Sequence, residues 1–155
     1  MGLLNLATYA SVWRGYEYYS NKNVITCIKQ SDSEIKGMVC GNGQKHYEVF
    51  IDLEHPRKSK CNCPHANGKR IICKHMIALY FAAYPNAAKK YYEDVIKYQE
   101  EEEKRQEELE YKVIDYVHKL KKSELEQLLL QVLFDGPEWQ YERFIHENIE
   151  CKFSK

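Results

Sequence analysis

The first half of the chain alternates apolar and polar residues over short runs, a pattern typical of strands with one buried face. Three such runs follow one another at 24–30, 34–40 and 46–53, separated by segments rich in Ser, Asp, Asn and Gly. In the third run every second residue from Tyr47 to Leu53 is apolar. The pattern predicts an antiparallel meander, completed by a fourth strand that ends at a pair of cysteines.

Segments with apolar residues at helical spacing precede and follow this meander. A short amphipathic helix with a turn is expected over Leu3–Ser20, interrupted at Gly15, and a second helix over residues 74–84. Beyond Pro85 the chain reads as a series of helices, first strongly charged and then rich in leucine, with a break at Asp135-Gly136-Pro137 before the last one. The segment Ser123–Glu126 has the form of a capping box that begins a new helix.

These patterns predict an α+β fold, in which a small antiparallel β-meander and its helix precede several C-terminal α-helices. We divide the chain into a folded domain at 1–85, a long charged connecting helix at 86–122, and a C-terminal helical segment at 123–155.

Charge is distributed unevenly, although the 155 residues carry a formal net charge of zero. Residues 1–90 hold 13 Lys and Arg against 6 Asp and Glu, whereas residues 91–155 hold 10 against 17. Between His55 and Tyr92 there are eight basic residues and no acidic one. Such asymmetry indicates a half that binds polyanions, or two halves that dock on each other or on a second copy.

Neither a membrane span nor a secretory signal is visible in the sequence, because no apolar run approaches about 18 residues and the N-terminus lacks a basic region. We therefore expect an intracellular, cytoplasmic protein. In that compartment disulfides rarely persist, so the six cysteines are read as thiols or metal ligands rather than as three bridges.

Three of the cysteines and a histidine have the spacing of a metal site. Cys61 and Cys63 are separated by one residue, nine residues follow, and Cys73 and His75 are again separated by one. Three thiolates and one imidazole fill a tetrahedral zinc shell completely, which is typical of a structural site rather than a catalytic one. The sequence predicts one structural Zn²⁺ per chain.

Local geometry supports this set. If the chain is extended from Lys58 to Cys63, the two cysteines point to one face, and Cys73 should lie just before a helix that carries His75 in its first turn. Asn67-Gly68 favours a turn in the intervening loop. His65 is a fifth candidate that could replace His75.

The arrangement Cys61-x-Cys63-x9-Cys73-x-His75 after a meander resembles the SWIM zinc finger. The flanks agree with that family at the segments Arg14–Tyr19, Ile35–Gly43, Tyr47–Ile51 and Cys73–Ala78, and at Val24 and Pro64. The resemblance extends over residues 12–84 and implies a ββα-like zinc module that binds DNA or proteins. It also suggests a small stand-alone SWIM protein.

Two larger activities found with such modules have no counterpart here. The sequence contains no Gly-x-x-x-x-Gly-Lys-Ser/Thr motif of an ATPase and no second zinc site of the RING type. With a closed metal shell and no nucleophile or paired acid and base, we expect no enzyme, no membrane partner and no small-molecule substrate.

Nucleic-acid binding, with DNA as the first candidate, is the leading functional hypothesis. Its basic contacts would surround the zinc: Arg57, Lys58, Lys60, Lys69, Arg70 and Lys74. Aromatic stacking on single strands could come from Tyr16, Tyr18, Tyr19 or Tyr47.

The alternative is a zinc-stabilised adaptor for protein–protein interactions. In this interpretation the acidic, leucine-rich C-terminal helices dock a protein partner or a second copy of the chain, which agrees with the zero net charge. Exposed leucines or an exposed Trp139 would favour it.

Overall fold

The computed structural model describes residues 2–150, without the side chain of Gln44. Its strands are β1 (Val24–Lys29), β2 (Glu34–Cys40), β3 (His46–Asp52) and β4 (Lys60–Cys61). Its α-helices are α1 (Tyr9–Ser20), α2 (Lys74–Ala83), α3 (Pro85–Lys119), α4 (Lys122–Asp135) and α5 (Glu138–Ile145). Within these residues, no helix combines the length and the apolar composition needed to cross a bilayer.

The four strands form one antiparallel sheet in the order β1-β2-β3-β4, so the predicted meander and the α+β fold class are confirmed. The inner face of the sheet is built from residues that alternate along the strands, including Ile35, Val39, Val49 and Ile51, all of them buried. The residues between them point to the opposite, outer face. The outer face remains open.

Helix α2 lies at the centre of the core. Its sequence is apolar around most of the circumference, which is typical of a helix buried on all sides. It contacts all four strands and also α1, and Met76, Ile77, Leu79 and Phe81 are fully buried. Burying one side chain of this size contributes about 1.5–3 kcal/mol, so α2 holds the sheet and α1 together.

Helix α1 shows one difference from the sequence expectation. Gly15 does not interrupt the helix; it lies in its interior, and a short 3-10 turn at Leu3–Leu6 precedes the helix instead. A methyl group at Gly15 would collide with the β-carbon of Ile77 and reach 3.0 Å from the carbonyl oxygen of Lys74. Glycine is therefore needed here because α1 and α2 cross too closely for a side chain.

The chain separates into two compact units, Met1–Lys97 and Tyr98–Lys155. The segment boundaries drawn from the sequence at residues 85 and 122 stay a prediction. The second unit contains the end of α3 together with α4 and α5, which contact each other, and Phe134 lies 5.8 Å from Tyr141 between ring centroids. Residues 151–155, Cys151 among them, lie outside the described residues.

The start of α4 corrects the predicted capping box. The helix begins at Lys122, with Lys121 rather than Ser123 as its N-cap residue. The backbone N–H of Lys121 donates a 2.7 Å hydrogen bond to the carboxylate of Glu124. The glutamate half of the motif is thus present, but it is shifted because Glu124, not Glu126, occupies the third helical position.

We predict that Gly15→Ala destabilises the first unit by about 1–2 kcal/mol. Overpacking at a close helix crossing costs about 1–3 kcal/mol, and the higher helix propensity of alanine recovers up to about 1 kcal/mol. Urea denaturation followed by circular dichroism measures the change. Gly2→Ala is the control, since no heavy atom lies within 4 Å of a side chain there; equal stability of both variants would contradict the close crossing.

Candidate metal centre and the basic groove beside it

The four predicted ligands come from two places in the fold. Cys61 ends β4, where it pairs with Val49 of the neighbouring strand, and Cys63 follows two residues later. Cys73 is the N-cap residue of α2 with an extended backbone, and His75 lies in the first turn of that helix. All four side chains are buried. The expectation that Cys73 precedes a helix is confirmed.

Asn62, which follows β4 and lies between the two cysteines, is held by hydrogen bonds to Glu48 of β3. The side-chain oxygen of Asn62 accepts a 3.0 Å hydrogen bond from the N–H of Glu48, and the N–H of Asn62 donates to the Glu48 carbonyl at 3.3 Å. The Cys63 carbonyl then accepts from Ala66 and Asn67. Asn62 thus continues the pairing to β3 beyond the two residues of β4.

The loop then reverses at Gly68, whose φ of 71° lies in the left-handed region expected of a glycine turn. One detail differs from the sequence expectation. Lys58 is not extended: Pro56–Lys58 forms a 3-10 turn, and only Lys60–Cys61 is strand. Proline begins this turn because its fixed φ suits the first helical position.

The ligand atoms have the separations of a tetrahedral shell. One sulfur or nitrogen atom from each of the four residues lies within 4.8 Å of the others. The Nδ1 atom of His75 is 3.8 Å from the sulfur of Cys61 and 3.9 Å from that of Cys73. In a tetrahedral shell, zinc bond lengths of about 2.3 Å to sulfur and about 2.0 Å to nitrogen place a sulfur and a nitrogen atom about 3.5 Å apart. The residues fit one zinc ion, with Nδ1 as the imidazole donor.

Two of the thiols influence each other's ionisation. The pKa of Cys73 is lowered because its sulfur accepts a hydrogen bond from the Cys61 thiol, with further stabilisation from His75 and the backbone N–H of Met76. The pKa of Cys61 is raised because it donates that hydrogen bond and is buried. The Cys73 thiolate is favoured at the start of α2, and zinc binding releases the proton that Cys61 holds.

The imidazole of His75 is held by aromatic rings. Its ring centroid lies 4.6 Å from that of Tyr47 and 5.4 Å from that of Tyr18. Among the described residues, its Nε2 atom is buried and has no hydrogen-bond partner. With Nδ1 turned to the sulfurs, packing rather than a hydrogen bond orients this ligand. His65, the alternative ligand, is exposed and lies outside the cluster.

Beside the metal centre, the outer face of the sheet forms a groove of about 1270 Å³, which we call the basic groove. Cys61 borders it, so the groove and the metal shell share a residue. Six basic residues line it: Lys36, Arg57, Lys58, Lys60, Lys69 and Arg70. Three acidic residues, Glu34, Glu48 and Asp52, also line it. Cations therefore outnumber anions by three in the groove.

The wall of the groove is a loop tied back to β3. The Asp52 carboxylate accepts a 2.7 Å hydrogen bond from the N–H of His55 and lies 3.5 Å from the His55 ring. The N–H of Asp52 donates to the hydroxyl of buried Ser59 at 3.1 Å. Because Asp52 is 9% exposed, its carboxylate is less accessible to a ligand than the lysines and arginines of the groove.

The floor of the groove contains a residue that the sequence analysis did not name. Phe50 lies on β3, paired with Lys36 on one side and Lys60 on the other. The Nζ atom of Lys36 is 5.9 Å from the centre of the Phe50 ring. The alternation along β3 could have identified it, since Phe50 falls on the same face as Glu48, opposite the buried valine and isoleucine.

The structure brings five of the six predicted basic contacts together and places Lys74 elsewhere. The Lys74 ammonium donates a 2.7 Å hydrogen bond to the hydroxyl of Tyr18, which donates in turn to Asn42 at 2.8 Å. The predicted stacking residues also lie elsewhere. Tyr16 stacks on Tyr92 at 5.2 Å, and none of the four candidates, Tyr16, Tyr18, Tyr19 and Tyr47, lines the basic groove.

We predict that the purified chain binds one equivalent of zinc and that Cys63→Ser loses most of it. Removing one thiolate opens a shell that is otherwise closed by protein ligands. Cys27→Ser is the matched control, because Cys27 is outside the cluster and should leave the metal content unchanged. Metal analysis after gel filtration measures both variants; full zinc retention in Cys63→Ser would contradict the assignment.

Comparison with known proteins agrees with the geometry. Residues 47–84 match the family model of the SWIM zinc finger, a segment that contains all four clustered residues. No curated protein and no solved structure matched the chain. The match begins at Tyr47, so the resemblance proposed for residues 12–46 stays a prediction. The chain thus contains a segment that matches the SWIM zinc finger, and its buried cluster of Cys61, Cys63, Cys73 and His75 supports one structural zinc site.

Proposed function

We propose that this zinc finger binds nucleic acid through the basic groove, with DNA as the expected ligand. The observation that supports the proposal is the convergence of six Lys and Arg residues on one open surface next to the metal shell. They come from β2, the 3-10 turn Pro56–Lys58, β4 and the loop that leads to α2. The folded chain gathers them although the sequence spreads them over 35 positions.

The electrostatics of the groove favour a polyanion. The lysines and arginines are exposed, whereas Asp52 is buried and its carboxylate accepts a hydrogen bond from the N–H of His55. Phosphate contacts from Lys and Arg release counterions, which is the main source of sequence-independent affinity. Contacts to about four phosphates give a slope of about −3.6 in log affinity against log salt on duplex and about −2.8 on single strands.

Little in the structure supports recognition of a particular base sequence. Reading base edges in the major groove requires a helix or ribbon that presents polar side chains. The helix of the finger, α2, has most of its residues buried in the core, and its one lysine, Lys74, is half-buried and donates a hydrogen bond to Tyr18. We therefore propose a module that follows the phosphate backbone.

We predict that the double variant Lys69→Glu and Arg70→Glu weakens nucleic-acid binding at least tenfold at about 50 mM salt, where phosphate contacts are strong, and makes the salt slope shallower. The matched control is Lys89→Glu and Lys90→Glu, which changes the net charge equally within the same acid-free stretch but does not line the groove. Fluorescence anisotropy with labelled oligonucleotides measures both.

Two results would contradict the proposal. The first is equal affinity and equal salt slope in both double variants, because the basic groove would then have no special role. The second is no binding of any oligonucleotide by the unmodified protein under these conditions.

A protein-interaction role is the second candidate, and it is supported by the exposed apolar residues of the second unit. Trp139 is 62% exposed, Phe134 66% and Leu130 51%. Exposed apolar side chains that form one contiguous patch are typical of a docking site. On this hypothesis the C-terminal helices bind a protein partner or a second copy of the chain.

We predict for this second candidate that light scattering gives a mass above that of the monomer, and that Leu130→Lys with Trp139→Lys restores the monomer. Charges introduced into an apolar contact disrupt it, because they must be desolvated. Tyr9→Lys is the control, since Tyr9 is equally exposed at 68% but belongs to the first unit. A monomer at all concentrations would leave self-association without support.

A further inference from the structure

The floor of the basic groove is apolar, although its rim is charged. Ile28, Met38 and Phe50 lie on three adjacent strands and all line the groove. Ile28 is 61% exposed, and Phe50 is half-buried. Water-exposed apolar side chains at the centre of a cationic surface serve no purpose for contacts to phosphates alone.

Cations flank the aromatic ring on both sides. Lys36, Phe50 and Lys60 are directly opposite one another on three neighbouring strands. Because strands lie about 4.8 Å apart, the two lysine backbones are about 10 Å from each other with the phenylalanine between them. An aromatic platform between positive charges is the arrangement by which proteins bind a base and the phosphates on either side of it.

A duplex does not satisfy this arrangement. The bases of duplex nucleic acid are stacked on each other and present only their edges to a protein, so a ring at the floor of a groove cannot stack on them. Unpaired bases expose their faces. The volume of about 1270 Å³ also exceeds the 300–1,000 Å³ typical of small-molecule pockets, which favours a polymer over a single nucleotide.

We propose that the outer face of the sheet is a binding site for single-stranded nucleic acid, DNA or RNA, in which a base stacks on Phe50 while Lys36 and Lys60 contact the adjacent phosphates. The inference rests on the proposed function and deepens it. Glu48 is exposed and precedes Phe50 by two residues on the same face of β3. Its negative charge repels the nucleic-acid backbone and so confines that backbone to the row of Lys36 and Lys60.

The test compares single strands with duplex on the zinc-loaded full chain. The probes are a labelled oligothymidine and oligouridine of about 16 nucleotides, the upper range of one compact binding site, and a duplex of equal length. At about 50 mM salt we expect tighter binding of both single strands than of the duplex. Oligothymidine and oligouridine differ in the 2′-hydroxyl and in the methyl group of thymine, so a difference between them reports on sugar and base together.

Phe50→Ala should weaken single-strand binding about tenfold, the loss typical of one stacked base, without changing the salt slope, since no charge is removed. Lys36→Gln with Lys60→Gln should instead make the slope shallower by about 1.4. Phe134→Ala is the matched control, because Phe134 is exposed in the second unit and should leave binding unchanged. Zinc content and circular dichroism verify that each variant is folded.

A variant that keeps an aromatic ring at position 50 distinguishes the loss of stacking from a folding defect. Phe50→Trp retains an aromatic face and should bind single strands at least as tightly as the unmodified protein, whereas Phe50→Leu should resemble Phe50→Ala. If Phe50→Ala and Phe50→Leu bind normally, or the duplex binds more tightly than both single strands, the single-strand inference is overturned.

The two proposals fail in different ways. Loss of binding in Lys69→Glu with Arg70→Glu, together with normal binding in Phe50→Ala, retains the basic groove as a nucleic-acid surface and removes the stacking site. Absence of binding to all three probes removes both.

Discussion

The metal shell is the contact on which the first unit depends, because it joins the edge of the sheet to the start of the central helix. Cys61 at the end of β4 and Cys63 two residues later supply two ligands, and the N-terminal end of α2 supplies the other two. The strand β4 has only two residues, so pairing alone gives it little stability. Structural zinc sites supply roughly 10–16 kcal/mol of apparent binding energy in small modules, which is comparable to the whole stability of a domain.

The same contact positions the functional surface. The loop between Cys63 and Cys73 carries Lys69 and Arg70, and its two ends are fixed by the ligand pairs. Cys61 lines both the metal shell and the basic groove, while Lys60 precedes it on the outer face. The proposed polyanion site is thus an outcome of how zinc folds the chain, although zinc itself contacts no phosphate in this account.

Much of this could be predicted from the sequence, because the relevant signals are local. The alternation from Tyr47 to Leu53 and the spacing of the ligands predict the sheet and the metal cluster. The roles of Gly15 and Lys74 do not follow from local signals, since they depend on contacts with Ile77 and Tyr18, which are distant in sequence. Phe50 is not distinguished by residue type either, because the sequence does not indicate which aromatic residues pack internally, as Tyr16 does.

The most direct measurement of the central claim is a zinc titration of the metal-free chain followed by hydrogen exchange and mass spectrometry. The account predicts that amides of β3 and α2 exchange rapidly without zinc. Their protection should increase as zinc is added and reach its maximum at one equivalent. Amides of α4, in the second compact unit, should remain unchanged throughout the titration. Equal protection of β3 and α2 with and without zinc would contradict the claim that the metal shell holds the first unit together.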